Sequence, residues 1–208
     1  MTVERERLAR PALVVAPRLL GAVVVSEIGG ARVAVRLTEV EAYEGLDDPA
    51  SHAFRGRTPR TAVMFGPPGY LYTYFTYGMH WCANIVCGPD SVAAAVLLRA
   101  GEVVEGIDTA RIRRPAARRD SDLARGPARL ASCLGLAAGQ NGLDLCSADS
   151  PVRLESMPLR RRPAVVSGPR VGITAATEHP WRFWLRHEPT VSVYKAGGGA
   201  RSRPAPAD

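Results

Sequence analysis

Apolar positions between Leu8 and Leu20 are spaced for a short helix, with Leu13, Leu19 and Leu20 available for burial and Pro11 and Pro17 limiting its length. The period then changes from helical to strand-like. Val23 to Ile28, then Gly29-Gly30, then Ala31 to Tyr43 predict a β-hairpin. In its second strand, alternation places Val33, Val35, Leu37, Glu39, Glu41 and Tyr43 on one face, with Arg32, Arg36 and Thr38 on the other. Two carboxylates thus continue the row that buries Val35 and Leu37. The pattern leaves two outcomes open: at least one glutamate enters a partly enclosed pocket, or the strand leaves the core and both are solvated.

Gly45 to Gly69 is a long polar connection rich in Gly and Pro, and loops of that length in compact domains are often functional. Tyr70 to Tyr77 and His80 to Cys87 predict a second hairpin turning at Gly78-Met79, and Ala93 to Ala100 a central strand. Glu102 to Arg114 is expected as a helix stopped by Pro115, and Pro127 to Ala138 as another, with Gly139 just beyond it and an exposed arginine-rich link between the two. Short strands are expected at Val152–Leu154, Ala164–Val166, Arg170–Thr174, Phe183–Leu185 and Val191–Tyr194. Strands and helices do not alternate as βαβ units would, so the expected class is α+β, a single compact domain with a mostly antiparallel sheet and flanking helices. Its expected extent is 8–195, with 1–7 and the Gly/Ala/Pro-rich 196–208 as flexible termini.

A chain of 208 residues suits one domain rather than two. No apolar run approaches the roughly 20 residues of a membrane helix, and the mixed charges of Met1 to Arg7 do not resemble a secretory signal, so a cytoplasmic protein is expected. The net charge of +7 suits a polyanionic partner without proving one. Lys195 is the only lysine, standing at the edge of the Gly/Ala/Pro tail, which argues against Schiff-base chemistry. Cys82, Cys87, Cys133 and Cys146 lack Cys-x-x-Cys spacing and are expected as reduced core residues, so neither zinc nor a disulfide is expected.

The residues from Glu39 to Asn84 concentrate acids, aromatics and arginines, with four of the six tyrosines between 70 and 84. An enzyme that hydrolyses a base from duplex DNA must extrude the nucleotide, grip the base, fill the gap and deliver water. Tyr43, His52 and Tyr74 are candidate walls for a base, although Tyr70, Tyr72 and Tyr74 also fit an ordinary tyrosine-rich strand. Tyr77, beside the Gly78 turn, could project into a base step or simply cover the core. Glu39 and Glu41 are possible general bases, and Arg99 could orient a carboxylate or water. Arg57, Thr58, Arg60 and Arg129 are candidate phosphate contacts, Arg129 lying near a helix start, whereas Arg160-Arg-Arg162 reads as a solvated charge run.

These residues carry a family resemblance. Glu39-Val-Glu-Ala-Tyr43, His52, Thr58-Pro-Arg60, Met64-Phe65, Gly69-Tyr-Leu-Tyr72, Tyr77-Gly-Met79, Cys82-Ala-Asn-Ile85, Val96-Leu-Leu-Arg-Ala100, Gly126-Pro127 with Leu130, and Arg170-Val-Gly172 occur in the order found in the alkyladenine (3-methyladenine, methylpurine) DNA glycosylases. The chain resembles that family from about residue 8 to residue 194. The resemblance implies a fold similar to the C-terminal domain of methionyl-tRNA formyltransferases, binding to double-stranded DNA containing damaged purines as a monomer, and base release without metal or organic cofactor. It implies Glu41 as the general base, with Arg99 and the Val171 carbonyl holding the water. Tyr43, His52 and Tyr74 correspond to the pocket walls, Asn84 to the residue that crowds the guanine amino group, and Tyr77 to an intercalating finger with Met79 beside it. His80, Trp81 and Arg129 depart from the family's animal members. A non-catalytic nucleic-acid-binding module would keep the charge and the tyrosines but give Glu41 and Arg99 no common task. A sugar glycosidase using Glu39 and Glu41 would leave the phosphate contacts unexplained.

Overall fold

The computed structural model describes residues 2–156 and 164–198, so Arg160 to Arg162 and 199–208 lie outside the described residues. The chain forms one α+β domain built on an eight-stranded antiparallel sheet. Strands β1 (Val23–Ser26) and β2 (Val33–Tyr43) form the first hairpin, and β3 (Leu71–Thr76) and β4 (His80–Val86) the second. They are followed by β5 (Ala95–Glu105), β6 (Val152–Glu155), β7 (Val165–Gly168) and β8 (Arg182–Leu185). The order β3-β4-β5-β2-β1-β6 puts β2 and β5 at the centre, and the second half of β2 gains a further partner in β8, which also pairs β7. Among the described residues the α-helices are α1 (Ala12–Leu19), α2 (Ile107–Arg113) and α3 (Pro127–Leu134), with short 3-10 turns in the connecting segments. No helix among the described residues is long and apolar enough to cross a membrane.

The core lies between one sheet face and the apolar sides of α1 and α3. Val15 and Leu19 from α1 and Leu130 and Leu134 from α3 pack there with Val35, Leu98 and Ile85, each buried side chain contributing about 1.5–3 kcal/mol.

Alternation along β2 does not run unbroken, and the expected face assignment is corrected here. Leu37 pairs Gly101 while Glu39 pairs Ala100, so Thr38 is an extra residue in β2. One inserted residue reverses the parity of everything beyond it. Val33, Val35, Leu37, Val40 and Ala42 therefore all enter the core, and Glu39, Glu41 and Tyr43 turn to the opposite face. Gly101 makes the close approach possible, because a Cβ there would lie 2.3 Å from the Val35 side chain.

Other expected boundaries shift for local reasons. The helix expected over 102–114 begins only at Ile107: β5 continues to Glu105, and Gly106, at φ 75° and packed against the Arg32 carbonyl, makes the turn. The second helix stops at Leu134, not Ala138, because Gly135 takes the left-handed cap. Arg170–Thr174 and Val191–Tyr194 are irregular segments instead of strands, and β7 lies one to two residues beyond its expected place. Residues 2–7 are held by the Val3 amide on the Leu154 carbonyl and by Arg5 on Asp144. The Lys195 carbonyl accepts from the Gly172 amide.

Candidate active site

The sheet face opposite the core carries the polar residues. A second register shift makes this possible: Glu39 pairs Ala100 and Val40 pairs Leu98, leaving Arg99 as the extra residue of β5. Its guanidinium consequently turns toward both glutamates, 2.8 Å from Glu39 and 3.2 Å from Glu41. Both carboxylates are fully buried, which excludes the solvated-edge outcome.

The two acids have different surroundings. Glu39 accepts from Arg99 Nε, Arg182 Nε (2.7 Å) and Ser192 Oγ on one oxygen, and from the Ser192 amide (2.6 Å) on the other. Four donors hold it in place, so its part is to orient Arg99. Glu41 accepts the Val171 amide (2.7 Å) and the Tyr43 hydroxyl (2.9 Å) and lies against Arg99, and all three of these neighbours line a cavity on this face of the sheet.

That cavity encloses about 250 Å³, just under the roughly 300–1,000 Å³ of drug-sized ligand sites and on the scale of one heterocycle. Tyr43 closes one side, and burial, with Glu41 adding to it, raises its hydroxyl pKa well above the ordinary phenol value, keeping it a donor. His52 and Tyr74 meet edge to face with ring centres 4.4 Å apart, and His52 Nδ1 lies 3.0 Å from the Tyr72 hydroxyl. Asn84 donates to the Tyr72 carbonyl at 3.2 Å, which fixes the orientation of its amide at the cavity wall.

Desolvation of the His52 ring, and then the nearby Arg60, push its pKa down to about 4. The folded protein thus holds the ring neutral where an unfolded chain, near pH 6.5, begins to protonate it. Between about pH 6.5 and 4 the unfolded state binds more protons, so this group lowers stability as pH falls through that window, by an amount that the solvent exposure of the residue reduces. Thermal midpoints measured across it should decline for the wild type and decline less for His52→Gln; equal slopes would show that His52 does not contribute.

Support for Tyr43 comes from a buried ion pair. Arg170, 1% exposed, binds Asp48 through both oxygens and the Ala42 carbonyl through Nη1, while its guanidinium lies between the rings of Tyr43 (4.7 Å) and Trp181 (4.9 Å). Asp48 also accepts the Ala50 amide, fixing the loop that leads to His52.

At the mouth, the β3–β4 turn is closed by the Met79 amide on the Thr76 carbonyl, with Tyr77 (φ 51°) and Gly78 (φ 67°) both left-handed, as a type I′ turn demands. Tyr77 is 83% exposed and Met79 68%, so the tip is apolar and uncovered.

The structure therefore brings Tyr43, His52, Tyr74, Asn84, Arg99, Val171 and the base of Tyr77 around one cavity, with Glu41 directly behind Val171 and Tyr43. Met79 stands outside at the tip, Arg57 and Thr58 are exposed on the loop before the Ala62–Phe65 turn, Arg60 lies 5.7 Å over the Tyr74 ring, and Arg129 is exposed on α3, two residues after the cavity-lining Pro127. Sequence reasoning missed Asp48, Arg182 and Ser192, and it gave Tyr72 and Arg170, present in the quoted motifs, no part in the site. Arg182 had a signal, being a charge set in a strand between Trp181 and Phe183; Asp48 and Ser192 look like any loop residues.

The model of the methylpurine-DNA glycosylase family matches residues 6–189. A candidate 3-methyladenine DNA glycosylase of Streptomyces avermitilis is 52% identical over 201 residues, covering 96% of this chain and 94% of the relative. Proteins with the same description from Nocardia farcinica (53% identity; 86% and 85% covered) and Mycobacterium leprae (48%; 99% and 92%) are similarly close.

Proposed function

The chain belongs to the methylpurine-DNA glycosylase family, hydrolases of N-glycosyl bonds, and from that premise we propose that it extrudes alkylated purines such as 3-methyladenine from duplex DNA and cleaves the glycosidic bond with a water activated by Glu41. The observation carrying this reading is the inequality of the two buried acids: Glu39 is held by four donors away from the cavity lining, whereas Glu41 stands behind the cavity wall beside Arg99 and Val171. Glu41 takes a proton from water as its oxygen attacks the sugar C1′, and the electron pair of the breaking bond passes to the purine nitrogen. An N3- or N7-alkylated purine is already cationic and leaves neutral, so no acid is required for it. Tyr43, Tyr74 and His52 enclose the base, stacking contributing about 1–3 kcal/mol. Asn84, its amide oriented by the Tyr72 carbonyl, crowds a guanine amino group. The Val171 carbonyl and Arg99 hold the water.

Chromatography of bases released from alkylated duplex, with abasic sites counted in parallel, tests the reaction. Equimolar 3-methyladenine and abasic sites are expected. Binding without release would instead establish a non-catalytic nucleic-acid module.

Tyr77 fills the gap left by the extruded nucleotide, with Met79 beside it, and Arg57, Thr58, Arg60 and Arg129 contact phosphates. A tyrosine at φ 51° carries backbone strain of about 1–2 kcal/mol that glycine would not. Allowing for the entropy glycine loses on folding, Tyr77→Gly should raise stability by up to about 1 kcal/mol. The same variant should bind lesion-containing duplex more weakly. Opposite shifts in thermal midpoint and lesion affinity are the expected pair; unchanged affinity would make Tyr77 a passive turn residue.

A further inference from the structure

The arginine-rich connection between α2 and α3 has no part in the chemistry described above. Seven arginines face two aspartates between residues 111 and 129. Their pairing is uneven. Arg111 is neutralised by Asp108 and Asp120, and Arg119 and Arg125 share Asp122. Arg113 turns inward onto the Cys133 and Ile28 carbonyls. Besides Arg113, three cations are left without a carboxylate among the described residues: Arg114, whose Nε reaches only the Leu123 carbonyl, Arg129, with one long bond to the Arg125 carbonyl, and the exposed Arg118, with no partner.

Arg114 and Arg118 line a cleft of about 420 Å³. Arg114 and Arg129 are close enough to repel, and this repulsion, after partial burial, pushes the Arg114 pKa below its ordinary value. Two like charges held together without a counter-ion are relieved by an anion between them. Arg129 also lies in the first turn of α3, whose free amides favour negative charge. Pro127, at the start of that turn, lines the base cavity, so Arg129 stands two residues from the cavity wall, with Arg114 beside it.

We propose that Arg114, Arg118 and Arg129 form a continuous phosphate-contact surface that grips the DNA backbone beside the extruded nucleotide. This rests on the reading of the cavity as the site of base release and extends it with two residues, Arg114 and Arg118. Arg111, Arg119 and Asp120 line the same cleft, where Asp120 is taken up by Arg111, so the paired charges flank the unpaired ones.

The test is the salt dependence of binding to undamaged duplex, measured by anisotropy between 50 and 200 mM salt. Each phosphate contact removed lowers the slope of log affinity against log salt by about 0.9. Arg118→Gln, at an exposed position without partners, should lower it by about 0.9 and Arg114→Gln with Arg118→Gln by about 1.8, while the corresponding lysine variants keep the wild-type slope. An unchanged slope in the glutamine variants overturns the proposal, and so does weaker binding with an unchanged slope, which would mark a structural effect. Because no base release is needed, this result stands apart from the cavity reading: an active Glu41→Gln would defeat that reading and leave the slopes as they are.

Discussion

Glu41→Gln should lower single-turnover release of 3-methyladenine from duplex DNA by about 10²–10⁴-fold, the usual contribution of a positioned general base, while affinity for lesion-containing duplex stays within a few-fold of wild type. The substitution is close to neutral for the fold because each contact has a substitute. Glutamine keeps one oxygen for the Val171 amide and Arg99, and its new amine faces the Tyr43 hydroxyl, which can turn from donor to acceptor. Arg99 also retains Glu39. What glutamine cannot do is take a proton from water. Release rates at saturating enzyme, with binding and thermal midpoint measured on the same preparation, check the result; a folded variant that turns over at the wild-type rate would assign the proton to another group.

Part of this site was legible in the sequence because its elements obey local rules. The helix start at Pro127 needs no amide and lies where residue type places it, whereas the hairpin expected to turn at Gly78-Met79 turns one residue earlier, at Tyr77-Gly78, because Tyr77 takes a left-handed conformation that its residue type does not announce. The two acids were also visible as charges continuing an apolar strand. Their facing was not, because it depends on Thr38 and Arg99 being unpaired across β2 and β5, and a register shift is decided by two strands about sixty residues apart. A period-two reading of one strand has no access to that, and it put Glu39 and Glu41 with Leu37. The helix expected from Glu102 failed for a related reason: Val103 pairs Val35 across β2 and β5, and the β-branched Val103 and Val104 favour the strand until Gly106 turns the chain. Arg170, Arg182 and Ser192 reach the site from irregular or short segments late in the chain. Only folding brings Arg182 beside Glu39, 143 positions away.

Glu39→Gln, the same chemical change two residues earlier, should have a different outcome: a loss of about 3–5 kcal/mol of stability, as when one member of a buried ionic cluster is removed. Glu39 meets two guanidiniums on one oxygen and the Ser192 amide on the other, with no exposure to water. Whichever way a glutamine is turned, its amine faces a donor that cannot reverse: the Ser192 hydroxyl could turn to accept on one side, but the two guanidiniums there and the Ser192 amide on the other can only donate. Arg99 and Arg182 would share a neutral oxygen, and the Ser192 amide would lose its acceptor or the arginines would. At about 2–4 °C per kcal/mol for a domain of this size, the thermal midpoint should drop by about 6–20 °C. Base release below that midpoint should fall less than in Glu41→Gln, because Glu41 keeps Val171 and Tyr43 while Arg99 is only loosened. The two variants therefore separate positioning from proton transfer: one unstable and partly active, the other stable and inactive. A Glu39→Gln protein with an unshifted midpoint and activity as low as that of Glu41→Gln would reverse the assignment and place the base at Glu39.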